Sequence, residues 1–364
     1  MSNASELPIT GKAGCVTNPG PDFGVEVRDD IPVPKPGNME VLVKLTVTGI
    51  CYSDLHYMLE DLPMAKMSDA GVVSPGHEGV GHIVALGDNI PASLELNVGD
   101  RVGLKPVWSS CNSCEMCTTD REMYCPASKQ TGLHVPGTYQ QYVIGSADHV
   151  LKIPEGLSDA VAAPVMCSGG TIYRGIKESG LKSGDWVAFA GAGGGVGHMG
   201  VMYAKAMGMR VIAIDGGNDK GEMCKRIGAE HFVDFTKTGD VNAEVFRLTD
   251  GLGAHGLIIT ATSAAAYRTG IGMLRTSGVL MAIGLPSVAD IPSIVDPISL
   301  IGKNLKVTGT AVGTRNDVKM ALQFAATGQV KPVIEMFPFG RISDAVMKLK
   351  DGKVAGRCVV KFDD

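Results

Sequence analysis

Trp186-Val187-Ala188-Phe189-Ala190-Gly191-Ala192-Gly193-Gly194-Gly195-Val196-Gly197 is the stretch that decides the fold. Five apolar residues in a row read as a short buried strand, and the glycines that follow end it in a turn. A helix-like stretch, Met199 to Met207, comes next and stops at Gly208, and a second apolar strand, Arg210 to Asp215, follows. Strand, glycine turn, helix and strand together make a parallel pair joined by a crossover helix. In such a turn the backbone N–H groups and the helix N-terminus face a pyrophosphate, and side chains would block its approach. Gly191, Gly193, Gly194, Gly195 and Gly197 offer overlapping frames around Val196, and a G-x-G-x-x-G spacing falls at Gly195, Gly197 and Gly200. An acid about 20 residues beyond the turn, at the end of the next strand, belongs to the same pattern. Asp215 holds that place. Its carboxylate accepts hydrogen bonds from ribose hydroxyls and repels an added phosphate, so the pattern favours NAD over NADP.

Working outward, short apolar strands recur at 231–233, 256–260 and 278–283 with helix-like segments between them. This alternation predicts a doubly wound parallel sheet with helices on both faces. Upstream, to about Gly156, the chain is rich in Val, Thr, Gly and Pro, and Val41–Val47 and Gly79–Leu86 read as strands of an antiparallel β domain. The 364 residues exceed what one core usually serves, which predicts two domains. The texture turns mixed again after Lys306, so the chain is expected to return to the first domain there. The expected division is 1–167 with 308–364 for the β-rich domain, and 168–307 for the nucleotide-binding domain. A net charge of −5 without a Lys/Arg cluster gives no electrostatic footprint for nucleic acid or an anionic membrane. No apolar run reaches the length of a membrane span, and Met1–Gly14 carries no signal-peptide pattern. The expectation is a cytoplasmic enzyme.

Nine cysteines, an odd number, argue against a disulfide framework. Cys111-x2-Cys114-x2-Cys117-x7-Cys125 places four thiolates within reach of one tetrahedral zinc and leaves no coordination position open. A closed set of this kind is structural. It would pin the loop from Ser109 to Pro126, which has little apolar content of its own. Cys51, His77 and Cys167 are scattered, and singly each is more often a structural residue. Together they offer two thiolates and one imidazole, three ligands with a fourth position free, which is the pattern of a catalytic zinc. Zinc there would bring an alcohol's ionisation near neutral pH and favour hydride transfer to nicotinamide. Beside Cys51, Ser53 and His56 could carry the released proton outward, and Asp54 could orient His77.

Cys51-Tyr52-Ser53-Asp54-Leu55-His56, Gly76-His77-Glu78-Gly79-Val80-Gly81, the four-cysteine loop and Pro164-Val165-Met166-Cys167-Ser168-Gly169-Gly170-Thr171 resemble the zinc-dependent medium-chain alcohol dehydrogenases. The resemblance runs through nearly the whole chain and is strongest to the tetrameric fungal and bacterial branch. It implies a GroES-like catalytic domain around a Rossmann domain, two zinc ions per chain, NAD, a site in the interdomain cleft and a homo-oligomer. It further implies Glu78 behind the catalytic zinc as an occasional ligand. Lys220 would hold the ribose beside Asp215, Thr171 would pack near the nicotinamide, and Arg357 would contact the pyrophosphate. Tyr52 stands where relatives carry His or Arg toward the pyrophosphate, which implies a weaker grip on the cofactor. Leu62 replaces a bulky pocket residue, the segment Leu62–Ser74 is longer, and Trp108 sits out of register with another pocket tryptophan. These departures imply a wider pocket for larger or secondary alcohols. A carbonyl reductase, or an aryl or polyol dehydrogenase in a biosynthetic pathway, remains an open alternative. A cofactor-binding protein without catalysis fits less well because every ligand is kept, and a zinc scaffold without cofactor fits less well because of the glycine turn and Asp215.

Overall fold

The computed structural model describes residues 7–63, 65–286 and 297–363. The chain divides into two compact units, Met1–Cys167 with Ile334–Lys353 and Cys358–Asp364, and Ser168–Val333 with Val354–Arg357.

The first unit is built on the long strand Glu40–Ile50. Its neighbours Gly79–Leu86 and Tyr142–Ser146 run antiparallel to it, and Cys358–Lys361 pairs antiparallel near its end. Val, Ile and Leu suit this pleated surface, and Val41, Leu42, Val43 and Leu45 are all buried. Both faces of the strand are therefore covered along this stretch. The pairing register sets Thr48 opposite Gly79, and the Gly49 N–H donates to the Glu78 carbonyl at 3.0 Å. The residues just beyond the paired ends, Cys51 and His77, are thereby held side by side.

The second unit carries six parallel strands in the spatial order 231–234, 210–215, 186–190, 254–259, 274–282 and 306–309. Numbered by sequence this is 3-2-1-4-5-6, the doubly wound order whose chain reversal lies between strands 1 and 4. The central strand Trp186–Ala190 is buried at every residue. Leu257, Ile259 and Leu280 pack into the same core, each contributing about 1.5–3 kcal/mol by leaving water.

The return to the first unit comes later than residue 308. Lys306–Gly309 is the sixth parallel strand, and the helix Arg315–Ala326 stays with the second unit. Val318 fills the space that Gly170 leaves by lacking a side chain, and the Tyr203 hydroxyl donates to the Ala321 carbonyl at 3.1 Å. Three of the four residues in the strand Lys306–Gly309 lie largely in solvent, so its sequence has no apolar signature, and the boundary was hidden for that reason. The strand expected at 278–283 also begins earlier, at Leu274.

Asp317 caps its own helix and accepts from Arg174 and from Lys177, at 2.7 and 2.8 Å. Burial works against its charge, but hydrogen bonds from Lys177, Arg174 and Thr314 outweigh it and hold the carboxyl below its ordinary range. A group with a depressed pKa stabilises the fold above its unfolded-state value, and that contribution is lost as pH falls through the native one. Asp317→Ala removes the fully buried carboxylate that faces Arg174 and leaves the guanidinium only its partly exposed partner Glu178, so it should destabilise the second unit by about 3 kcal/mol. Denaturant unfolding followed through Trp186 in a Trp108→Phe background measures this, and a loss below about 1 kcal/mol would contradict it.

Candidate functional site

In the first unit, Cys51 precedes the helix Tyr52–Leu59 as its N-cap, where the Cys51 N–H donates to the Asp54 carboxylate at 3.0 Å. His77 and Glu78 lie immediately before Gly79, where the next strand starts. Cys167 comes from a one-turn π-helix, Val165–Gly169, that continues the helix Asp159–Pro164. Widened turns of this kind are frequent at functional sites. The Sγ atoms of Cys51 and Cys167 are 3.9 Å apart, and His77 Nε2 lies 3.2 Å from Cys167 Sγ. With a Glu78 carboxylate oxygen, all four ligand atoms fall within 4.8 Å of one another. A tetrahedral zinc with sulfur near 2.3 Å sets sulfurs about 3.8 Å apart, so the donors fit the metal. All four residues are buried. A Cβ on Gly49 would overlap the Glu78 carboxylate, so the glycine makes room for this acid.

Asp54 ties the site together from behind. Its Oδ1 approaches His77 Nδ1 to 2.7 Å, and its Oδ2 accepts from Tyr139 as well as from Cys51. The approach to His77 has ion-pair distance without hydrogen-bond alignment, and the Asp54 charge is its main effect on the ring. Burial opposes a charge on His77, but Asp54 and Cys51 outweigh it, and the imidazole is held well above its usual basicity. A basic imidazole with Nε2 toward the sulfurs is a strong metal donor.

Ser53 Oγ lies 3.8 Å from Cys51 Sγ. His56 is three residues on, along the same helix, and its Nδ1 pairs with Asp61 at 2.7 Å. No hydrogen bond joins Ser53 to His56 among the described residues. Tyr52 packs its ring edge-on to His56, with centroids 5.1 Å apart. Tyr139 and Asp61 were invisible to sequence reasoning, because one acts across 85 residues and the other carries no motif. Trp108 is anchored by its indole N–H to the Ile144 carbonyl at 3.0 Å. In the segment Leu62–Ser74, Met64 lies outside the described residues.

Cys111, Cys114, Cys117 and Cys125 converge in the same unit. The pairs Cys111–Cys117, Cys114–Cys117 and Cys125–Cys111 have sulfurs 3.9, 3.6 and 3.5 Å apart, again the spacing of tetrahedral zinc. Backbone N–H groups of Ser113 and Cys114 push the Cys111 thiol down to about 5, while burial pushes Cys117 up to about 11. The Cys111 thiolate thus stands ready at neutral pH, while a metal must displace the proton of Cys117. The loop is also held by a buried ion pair, Lys105 Nζ to Glu122 at 3.0 Å.

In the second unit, Gly191 adopts φ +84°, and the turn runs through Gly193, Gly194, Gly195 and Val196 into the helix Gly197–Ala206. A Cβ on Gly197 would overlap the Gly191 carbonyl, so this position needs glycine for the turn to close on the helix. Asp215 ends the next strand. It accepts from the Gly193 and Gly216 N–H groups, both at 2.8 Å, and pairs with Lys220 at 3.0 Å. Arg357 lies against Gly195, where a Cβ would meet its guanidinium nitrogen at 2.8 Å. Thr171 is buried in the first turn of the helix Gly170–Ser179.

A metal-binding β unit and a doubly wound nucleotide-binding unit define a zinc- and dinucleotide-dependent oxidoreductase. Residues 37–155 match the alcohol dehydrogenase GroES-like domain, and 195–327 the zinc-binding dehydrogenase domain. An alcohol dehydrogenase of Schizosaccharomyces pombe is 42% identical over 91% of this chain and 92% of its own length. Alcohol dehydrogenase 1 of Neurospora crassa is 41% identical over 98% of each. A solved NAD-dependent alcohol dehydrogenase superposes with a TM-score of 0.83 at 27% identity, over 96% of this chain and 99% of that one. The chain belongs to the zinc-type medium-chain alcohol dehydrogenases, and it is an alcohol oxidoreductase that works with zinc and NAD.

Asp54→Asn keeps the shape but removes the charge that faces His77. Losing such a partner weakens metal affinity about 10–100-fold. Metal analysis after dialysis against a chelator should find about one zinc per chain in this variant and about two in the parent. Two zincs in both would show that Asp54 does not serve the metal.

Proposed function

We propose that the protein interconverts a primary or secondary alcohol and its aldehyde or ketone at the site formed by Cys51, His77 and Cys167. The convergence of these three donors with Glu78, buried and backed by Asp54, is the observation that carries the reading. Zinc held there supplies Lewis acidity to a substrate oxygen. Three firm donors leave a position free, and the Glu78 carboxylate is close enough to enter it in turn. Ser53, beside Cys51, takes the proton that the substrate hydroxyl gives up. His56 lies one turn along the helix, on the same face, and with Asp61 passes the proton outward. Asp215 receives the adenosine ribose with Lys220 beside it, Arg357 and the glycine turn take the pyrophosphate, and Thr171 faces the nicotinamide. Tyr52 supplies no cation, so the cofactor is held less tightly than a basic residue would hold it. The four-cysteine loop takes the structural zinc.

The protein works as a homo-oligomer, a tetramer by its likeness to the fungal branch. The helix Pro297–Lys303 exposes Ile298 and Ile301, each 83% accessible, beside the strand Lys306–Gly309 at the edge of the described sheet. Exposed apolar side chains next to an edge strand are a ready surface for a second copy. No helix in the described residues is long and apolar enough to cross a membrane, and the proposed compartment is the cytoplasm. Leu62 and the anchored Trp108 favour a pocket for bulky or secondary alcohols, with carbonyl reduction as the second direction.

The test is initial rates with NAD over a panel from ethanol to branched and aryl alcohols. The wide-pocket reading expects the highest kcat/KM from a bulky alcohol, and ethanol as the best substrate would overturn it. Ser53→Ala should lower kcat on the order of a hundredfold, the usual worth of a positioned proton acceptor. An unchanged kcat would remove Ser53 from the proton path.

A further inference from the structure

The Gly194 carbonyl accepts twice from His198, from its main-chain N–H at 3.0 Å and from ring Nδ1 at 2.9 Å. The other ring nitrogen, Nε2, lies 3.2 Å from the main-chain N–H of Val333. A carbonyl needs a donor and an N–H needs an acceptor, so the ring is a neutral imidazole with its proton on Nδ1. The side chain is fully buried, and a proton on Nε2 would set two donors face to face. Burial, reinforced by the Arg357 charge, pushes the imidazole down to about 4. One tautomer therefore persists through the neutral range.

A trans peptide sets its carbonyl and its N–H antiparallel. Fixing the Gly194 carbonyl on His198 turns the Gly195 N–H, which shares that peptide plane, away from the ring. The N–H groups of Gly195 and Val196 have no acceptor among the described residues. Val333, at the far end of the contact, is itself held, because its carbonyl accepts from the Arg357 N–H at 2.9 Å. Gly356 closes the same patch by donating to the Gly193 carbonyl at 3.3 Å.

We propose that His198 is the positioning residue of the pyrophosphate turn: a strut between Gly194 and Val333 that aims the Gly195 N–H at the cofactor's phosphates. This rests on the reading of the glycine turn as the NAD cradle. The sequence showed His198 only as a residue inside a glycine motif. Its partner Val333 is 135 residues away.

Equilibrium titrations of the zinc-loaded enzyme with NADH, ADP-ribose and adenosine separate the possibilities. Asparagine places its amide near Nδ1 and can still donate to Gly194. Glutamine reaches the place of Nε2 and can still accept from Val333. His198→Ala should weaken NADH and ADP-ribose about tenfold, the worth of one good hydrogen bond, and leave adenosine unchanged, because Asp215 is untouched. His198→Asn should recover most of the loss and His198→Gln little of it. Unaltered ADP-ribose binding in His198→Ala, an equal loss for adenosine, or equivalent asparagine and glutamine variants would each overturn the proposal. If His198→Ala does not fold, the contrast between the other two variants decides. Failure of the parent enzyme to bind ADP-ribose would instead remove the cradle reading itself.

Discussion

The antiparallel register between Glu40–Ile50 and Gly79–Leu86 is the constraint on which the proposed metal site depends. It is closed at its end by the hydrogen bond from the Gly49 N–H to the Glu78 carbonyl. A slip of one residue would turn every side chain of the strand to the other face, and Cys51 would no longer meet His77. Gly49 keeps the register compatible with chemistry, because any side chain there would displace the Glu78 carboxylate. Asp54 then works in two directions at once. It caps the helix that begins after Cys51, and it faces the histidine that lies just before the neighbouring strand. A single carboxylate thus couples local helix geometry to the electrostatics of a metal donor.

The second unit answers a different need by related means. In the proposed phosphate cradle a Cβ on Gly197 would overlap the Gly191 carbonyl, so glycine is required there for the turn to close on its helix. Asp215, at the end of the next strand, braces the turn through the Gly193 N–H. Its two oxygens are shared between Gly193, Gly216 and Lys220. The cost of burying this acid is offset by those three donors.

The sequence disclosed what local spacing encodes. Cys111, Cys114, Cys117 and Cys125 lie within fifteen residues, so their convergence needed no knowledge of the fold. The strand–turn–helix around Gly191–Gly197 was legible for the same reason, and Asp215 followed from its distance along the chain. Cys51, His77 and Cys167 carried meaning only as a set, since each alone is an ordinary buried residue. Tyr139, Asp61 and Val333 gave no signal at all, because their roles arise from tertiary contact with Asp54, His56 and His198. The late domain return was obscured because the mostly exposed strand Lys306–Gly309 lacks an apolar run, while Arg174 and Asp317 hold its following helix by buried charge.

Where metal binds decides whether Cys51, His77 and Cys167 form a site. Anomalous diffraction at the zinc edge from crystals of the zinc-loaded protein tests this directly. Two peaks per chain are expected, one among Cys51, His77 and Cys167 with Glu78 adjacent, the other centred on Cys111, Cys114, Cys117 and Cys125. A single peak in the four-cysteine loop, with density showing Cys51 and Cys167 bonded to no metal, would contradict it.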